Sequence, residues 1–120
     1  MLFAQERISD LKWKYRILVV SGADGKTIEL LESGEEGLED RDLKVFILSG
    51  KGMREYAAKP PLAKELLQRL DPPEGKPMAY LIGKDGKTTL SWTLGDFTLE
   101  KLFASIDAMP MRKKEVRERR

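Results

Sequence analysis

Apolar positions along this chain fall into short blocks separated by polar breakers, and their spacing predicts strands alternating with helices. After Leu11 and Trp13, Tyr15 to Val20 (YRILVV) is a compact β-branched run that stops at Ser21-Gly22-Ala23-Asp24-Gly25, which predicts a buried strand and then a turn. Thr27 to Ser33 sets Ile28, Leu30 and Leu31 where a short helix buries one face, and Gly34 and Gly37 interrupt it. Leu43 to Ser49 (LKVFILS) is the clearest strand and is broken by Gly50-Lys51-Gly52. Pro60 and Pro61 open a helix whose stripe is Leu62, Leu66 and Leu70, with Ala63 and Leu67 beside it, and Asp71-Pro72-Pro73 stops it. Met78 to Gly83 and Thr88 to Trp92 flank Lys84-Asp85-Gly86-Lys87, whose Asp-Gly predicts a hairpin. Thr98 caps a last helix with Leu99, Leu102, Phe103 and Ile106 on its core face, ended by Pro110.

The predicted order is therefore β-α-β-α-β-β-α. Two crossovers and a hairpin make an α/β fold with one mixed four-stranded sheet and helices on both faces, and the right-handed crossover rule limits how it winds. The proline-led third strand is expected antiparallel beside the first. A chain of 120 residues supports one core. Its parts read as an N-terminal extension over 1–10, a domain over 11–110 and a basic tail over 111–120. The longest apolar runs, such as Ile17 to Val20, are far too short to span a membrane.

Composition narrows the chemistry. There is no Cys and no His, so thiol redox chemistry, disulfides, histidine bases and ordinary zinc sites are excluded, leaving carboxylate, lysine, hydroxyl and backbone groups. No cofactor is expected. Net charge is +2, but Asp24 to Asp42 holds eight acids against Lys26 and Arg41 and should face water. Arg112 to Arg120 holds six bases and two acids. That cluster reads either as a solvated, fraying terminus or as a weak hook for an anionic polymer; without interleaved aromatics, nucleic acid is not the expected partner.

Pro77-Met78-Ala79-Tyr80-Leu81-Ile82-Gly83-Lys84-Asp85-Gly86 resembles the stretch in thioredoxin-like and peroxiredoxin-like proteins where a cis-proline opens a strand that turns at Asp-Gly or Asn-Gly. Four ordered blocks, Trp13 to Val20 (WKYRILVV), Arg41 to Phe46 (RDLKVF), Leu81 to Gly86 (LIGKDG) and Ile106 to Arg112 (IDAMPMR), together resemble the DUDES-type domain family. That family joins short bacterial proteins of unknown function with domains of vertebrate extracellular-matrix and sushi-repeat-containing proteins. The resemblance implies a thioredoxin-like three-layer sandwich and little defined chemistry, and it suggests that bacterial relatives are often exported, periplasmic or secreted; the compartment of this chain is left open.

In redox-active relatives of that fold, the loop after the first strand carries reactive thiols at a helix start. Here it reads Ser21-Gly22-Ala23-Asp24-Gly25-Lys26-Thr27, which cannot cycle between thiol and disulfide, so thiol oxidoreductase and thiol peroxidase activities are excluded. Ser21, Lys26 and Thr27 could hold an anion at the helix start, although Asp24 opposes one and Asp24 or Thr27 equally serves as a cap. The Gly25-Lys26-Thr27 and Gly86-Lys87-Thr88 triplets lack the earlier glycine of a phosphate loop, since Val20 and Leu81 stand there. A cis Lys76–Pro77 bond, implied by the resemblance, would set a corner that pairs with an extended peptide alongside Ala23, Asp24, Gly25 and Lys26. Its plain alternative is a proline that only shapes the strand entry. Trp13 and Trp92 are expected in the core or half-buried. Glu35-Glu36 and Glu39-Asp40 read as a solvated face rather than a paired-carboxylate centre. The leading functional expectation is a non-redox module binding another protein or peptide. The alternatives are a small-molecule enzyme using Lys, Asp or Tyr in the same concavity, and anionic-polymer binding by the tail.

Overall fold

Ile17, Leu18, Val19 and Val20 are apolar in succession because both faces of their strand are covered. The computed structural model describes residues 7–119. Its elements run α1 (Ile8–Leu11), β1 (Arg16–Ala23), α2 (Gly25–Ser33), α3 (Glu35–Asp40), β2 (Leu43–Gly50), α4 (Pro60–Leu70), β3 (Met78–Ile82), β4 (Thr88–Thr93), α5 (Leu99–Asp107) and α6 (Pro110–Glu118). The four strands lie in the order β2-β1-β3-β4. β1 pairs parallel with β2, while β3 pairs antiparallel with β1 and β4 pairs antiparallel with β3, as the crossovers and the hairpin require.

The strand alternation divides the core between two faces. Leu18, Val20, Ala79 and Leu81 meet Leu31 of α2, Leu38 of α3, and Leu102 and Ile106 of α5. Ile17, Val19, Tyr80 and Ile82 meet Ile8 and Leu11 of α1 and Leu62 and Leu66 of α4. Gly34 breaks α2 from α3, where the glycines predicted an interruption.

Four sequence expectations are corrected. No peptide bond among the described residues is cis, so Lys76–Pro77 is trans; the chain instead reverses at Gly75, whose φ of +73° is the left-handed region open to glycine. β1 runs on to Ala23, leaving only Asp24 between strand and helix, because Gly22 at φ +80° lets the strand bend and continue pairing. Trp13 is 60% exposed, stacked under the Lys12 ammonium 5.4 Å from its ring centroid, and its N–H donates to the Lys84 carbonyl. Finally, Pro110 ends α5 and also opens α6, so the residues read as a solvated tail form a docked helix. Arg112 on α6 is buried because Asp40 and Asp107 meet its guanidinium at 2.6 Å and 3.4 Å.

Candidate functional site

Positions far apart in sequence meet where β1 ends and β3 begins. Gly22 passes so close to Pro77 that a Cβ placed on it would lie 3.2 Å from the Pro77 Cα. The Ser49 hydroxyl accepts from the Gly22 N–H at 2.7 Å and lies 3.3 Å from the Ser21 hydroxyl, tying β2 to the bend. One residue on, the Ala23 carbonyl accepts from the Lys51 N–H at 2.9 Å. The Pro77 carbonyl accepts from the Leu94 N–H at 3.1 Å, which anchors the segment after β4 beside the same corner.

These anchors shape a groove of about 920 Å³ between the start of α2, Lys76–Pro77 and residues 93–98. Leu30, Pro77, Leu94 and Phe97 supply its apolar surface, and Lys26 and Lys76 stand at its rim. No ion pair engages either lysine among the described residues. The far wall is held by its own bonds: the Thr93 carbonyl accepts from the N–H groups of Asp96 and Phe97, each at 3.0 Å, and the Thr98 hydroxyl caps α5 by accepting from the Lys101 N–H at 3.1 Å. Phe97 packs edge-on against Trp92 with ring centroids 5.6 Å apart. The groove therefore exists before any occupant arrives.

Its electrostatics disfavour a simple anion site at the start of α2. Asp24 caps the helix, its carboxylate accepting from the Thr27 hydroxyl at 2.7 Å and the Thr27 N–H at 2.8 Å. The Thr27 hydroxyl and N–H together hold the Asp24 carboxyl below its usual value, so a negative charge already sits where an anion would bind. Of the residues considered for an anion, Lys26 and Thr27 line the groove, whereas Ser21 lies across Pro77 in a separate depression of about 510 Å³ with Ser49 and Gly75. Of those considered for a peptide, Asp24, Lys26, Lys76 and Pro77 line the groove. Ala23 is buried beneath it, and Gly25 opens α2 near the Lys51 ammonium. Leu94 and Phe97 were missed, although Phe97 stands as a lone apolar residue just before the Thr98 cap.

A second convergence lies at the opposite pole, at the first residue of β1. Arg16, 1% exposed, donates to both oxygens of Glu115 at 3.3 Å and 3.2 Å and to the Arg41 carbonyl at 2.9 Å. Lys84 donates to Glu115 at 2.7 Å and to Asp42 at 2.9 Å. Arg41 binds Asp107 through two hydrogen bonds, and Arg119 reaches Asp40 at 3.1 Å. Burial alone would push the Glu115 carboxyl up, but hydrogen bonds from Lys84 and Arg16 outweigh it and hold the group below its ordinary value. Each of the four sequence blocks that carry the family resemblance thus sends a charged residue here: Arg16, Arg41 with Asp42, Lys84, and Asp107 with Arg112. Among the described residues no cluster of acids has a metal-binding arrangement, and no helix is long and apolar enough to cross a membrane.

The family model described as "Domain of unknown function (DUF4174)" matches residues 7–115. No curated protein matches the chain. Among solved structures, it is similar to Plasmodium yoelii Prx1a modified at its N-terminus, with a TM-score of 0.64 and 13% identity over 89% of this chain and 80% of that one. The reduced 2-Cys peroxiredoxin of Plasmodium vivax gives a TM-score of 0.63 and 12% identity, covering 88% of this chain and 83% of the other. A cysteine-to-serine mutant of peroxiredoxin 6 from Arenicola marina gives 0.53 and 17%, covering 83% and 63%. At these identities the likeness carries the fold alone, a thioredoxin-like mixed sheet.

Proposed function

We propose that this chain, which belongs to the domain family of unknown function DUF4174, is a non-redox thioredoxin-like module that binds an extended peptide segment of another protein in the groove beside Pro77. The observation that carries the reading is the groove itself: Asp24, Lys26, Lys76 and Pro77, half a chain apart, line one preformed channel with an apolar floor. A peptide suits such a site, because an apolar anchor side chain gains from leaving water at Leu30, Leu94 and Phe97, while Lys26 and Lys76 together with Asp24 and Glu29 offer both signs of charge to the groups that flank it. With a trans bond at Pro77, the reading does not rest on main-chain pairing at a cis-proline corner. The absence of Cys from the chain removes thiol exchange as a use of the groove. Kinship with the DUDES-type domains, suggested by the four sequence blocks, is part of the same reading.

The test is a display library of random peptides panned on the immobilised chain, followed by titration of the enriched sequences. Binders should carry an apolar residue flanked by charged ones, an acid among them facing Lys76, and Lys76→Glu or Leu94→Ser should weaken them roughly tenfold or more, about 1.4 kcal/mol. Gln68→Glu, on α4 away from the groove, should change nothing. Failure to enrich any sequence, or equal affinity in the groove variants, contradicts the proposal.

A further inference from the structure

Between α1 and β1 the chain turns through Trp13 at φ +71°, the left-handed region where glycine is the least strained residue and a bulky side chain is an outlier. Three backbone bonds hold the turn. The Trp13 N–H donates to the Lys84 carbonyl at 2.6 Å, and the Lys14 and Tyr15 N–H groups donate to the Leu11 carbonyl at 3.0 Å and 2.9 Å. The indole belongs to neither core cluster and is 60% exposed, so the core gains little from a large apolar side chain at a place that suits the smallest residue. Its surroundings are cationic. The Lys12 ammonium lies over the indole, and the Lys44 ammonium lies 4.8 Å from the centroid of the half-buried Tyr15 ring. Lys12, Lys14 and, across the hairpin turn, Lys87 are exposed, and no ion pair engages them among the described residues. α6 reaches the same turn, since Lys84, whose carbonyl holds Trp13, donates through its ammonium to Glu115. With Arg112, Glu115 and Arg119 bonded to the body of the protein, the helical period turns Lys113, Lys114 and Arg117 to solvent, again without an ion pair among the described residues. Three acids oppose these six cations on the same segments: Asp10, which accepts from the Arg7 N–H, Asp85, which accepts from the Lys87 N–H, and Glu118.

We propose that this end of the molecule, at the start of β1 and away from the groove at its other end, docks on the surface of an anionic lipid bilayer, with Trp13 entering the headgroup layer and the surrounding lysines over the lipid phosphates. An indole, apolar in its body and polar at its N–H, settles at that depth. Lysine and arginine close to an anionic surface add an attraction that salt screens. A protruding ring matches a flat layer of headgroups. A single nucleic-acid strand asks instead for a charged groove with several stacking rings, and here one ring is free while Tyr15 is half-buried beneath Lys44. The contact is peripheral, because no helix among the described residues is long and apolar enough to cross a membrane. The bonded turn holds the ring out before any lipid is met, so docking orders little of the chain.

The test is sedimentation of the full chain with vesicles of phosphatidylcholine alone and of phosphatidylcholine with one quarter phosphatidylglycerol. Affinity should be roughly tenfold or more higher for the anionic vesicles and should fall as salt rises from about 0.05 M to about 0.5 M. Lys12→Glu with Lys14→Glu, and separately Lys113→Glu with Lys114→Glu, should each weaken binding roughly tenfold. Trp13→Gly suits the positive φ, so it should leave the thermal midpoint within a few degrees while weakening binding several-fold. In Trp92→Phe, Trp13 is the one remaining tryptophan, and its emission should move to shorter wavelength on the anionic vesicles. Absence of binding, equal binding to both vesicle types, binding indifferent to Trp13→Gly, or Trp13 emission that does not move overturns the proposal. So does a large loss of stability in Trp13→Gly, which makes the ring a structural part of the fold, and so does a single-stranded oligonucleotide that binds more tightly than the anionic vesicles at the same salt.

Discussion

Arg16 and Glu115, separated by 99 positions in sequence, are joined by two hydrogen bonds, at 3.3 Å and 3.2 Å, that fasten α6 to the first residue of β1. The arginine side chain is 1% exposed and the glutamate 17%, so the pair sits largely out of water. Lys84 shares the same carboxylate, and the Arg16 Nε has no partner among the described residues. The Glu115 carboxylate therefore serves two buried cations, and Asp42 meets Lys84 from its other side. Such a pair gives little net stability compared with an apolar replacement, but losing one member is costly, because the remaining charge stays buried without compensation.

Glu115→Gln should therefore destabilise the chain by about 3 kcal/mol, the cost of breaking a buried pair from one side. Urea titration measures it, with the loss expected in the midpoint at an unchanged slope. An effect within a few tenths of a kcal/mol means that α6 is not held by this pair.

Acid should release the same helix. Asp40 is lowered by its hydrogen bond from Arg112, Asp107 by its hydrogen bond from Arg41, and Glu115 by Lys84 and Arg16 against the opposing effect of burial. A carboxyl whose folded value lies below its unfolded value contributes stability that is present above the unfolded value and is lost as pH falls through the folded one. With unfolded values of about 3.9 for Asp and 4.3 for Glu, the loss should begin near pH 4 and continue below it. Amide protection along α6 should fall there before protection in β1 does, and Glu115→Gln should flatten the dependence. Protection that is level from neutral pH to below pH 3 contradicts the assignment.

Gly22→Ala probes the corner of the groove. At φ +80° an L side chain is strained by about 1–2 kcal/mol, and the added Cβ would press on Pro77 from 3.2 Å. The variant should fold with that loss of stability and bind groove peptides several-fold more weakly. Full stability together with full affinity would show that the close approach of β1 to Pro77 is unimportant.

Much of the fold was legible in sequence because its core elements repeat the periods that burial imposes. The doubly covered β1 shows as an unbroken apolar run, α4 and α5 show as stripes of helical spacing, and Asp85-Gly86 marks the hairpin. Thr98 was readable as a cap, and it does accept from Lys101. The groove was half legible: Asp24, Lys26, Lys76 and Pro77 could be placed near one another by topology, whereas Leu94 and Phe97 come from an irregular segment with no period to mark it. α6 was not legible at all. Its charges suggested exposure, and only the three-dimensional arrangement shows that Arg112 and Glu115 find opposite charges contributed by α3, α5, β1 and the hairpin turn. The geometry at Pro77 was misread for a related reason, since the reversal falls to Gly75, two residues earlier.

Amide shift mapping of the chain with an enriched peptide locates the binding site residue by residue. Binding in the groove should shift residues 24–33, 76–77 and 93–98, with Leu94 and Phe97 among the largest changes, and leave α4 and α6 still. Shifts confined to α6, or to Leu90 and Ser91 at the sheet edge, would contradict the assignment of the groove as the binding site.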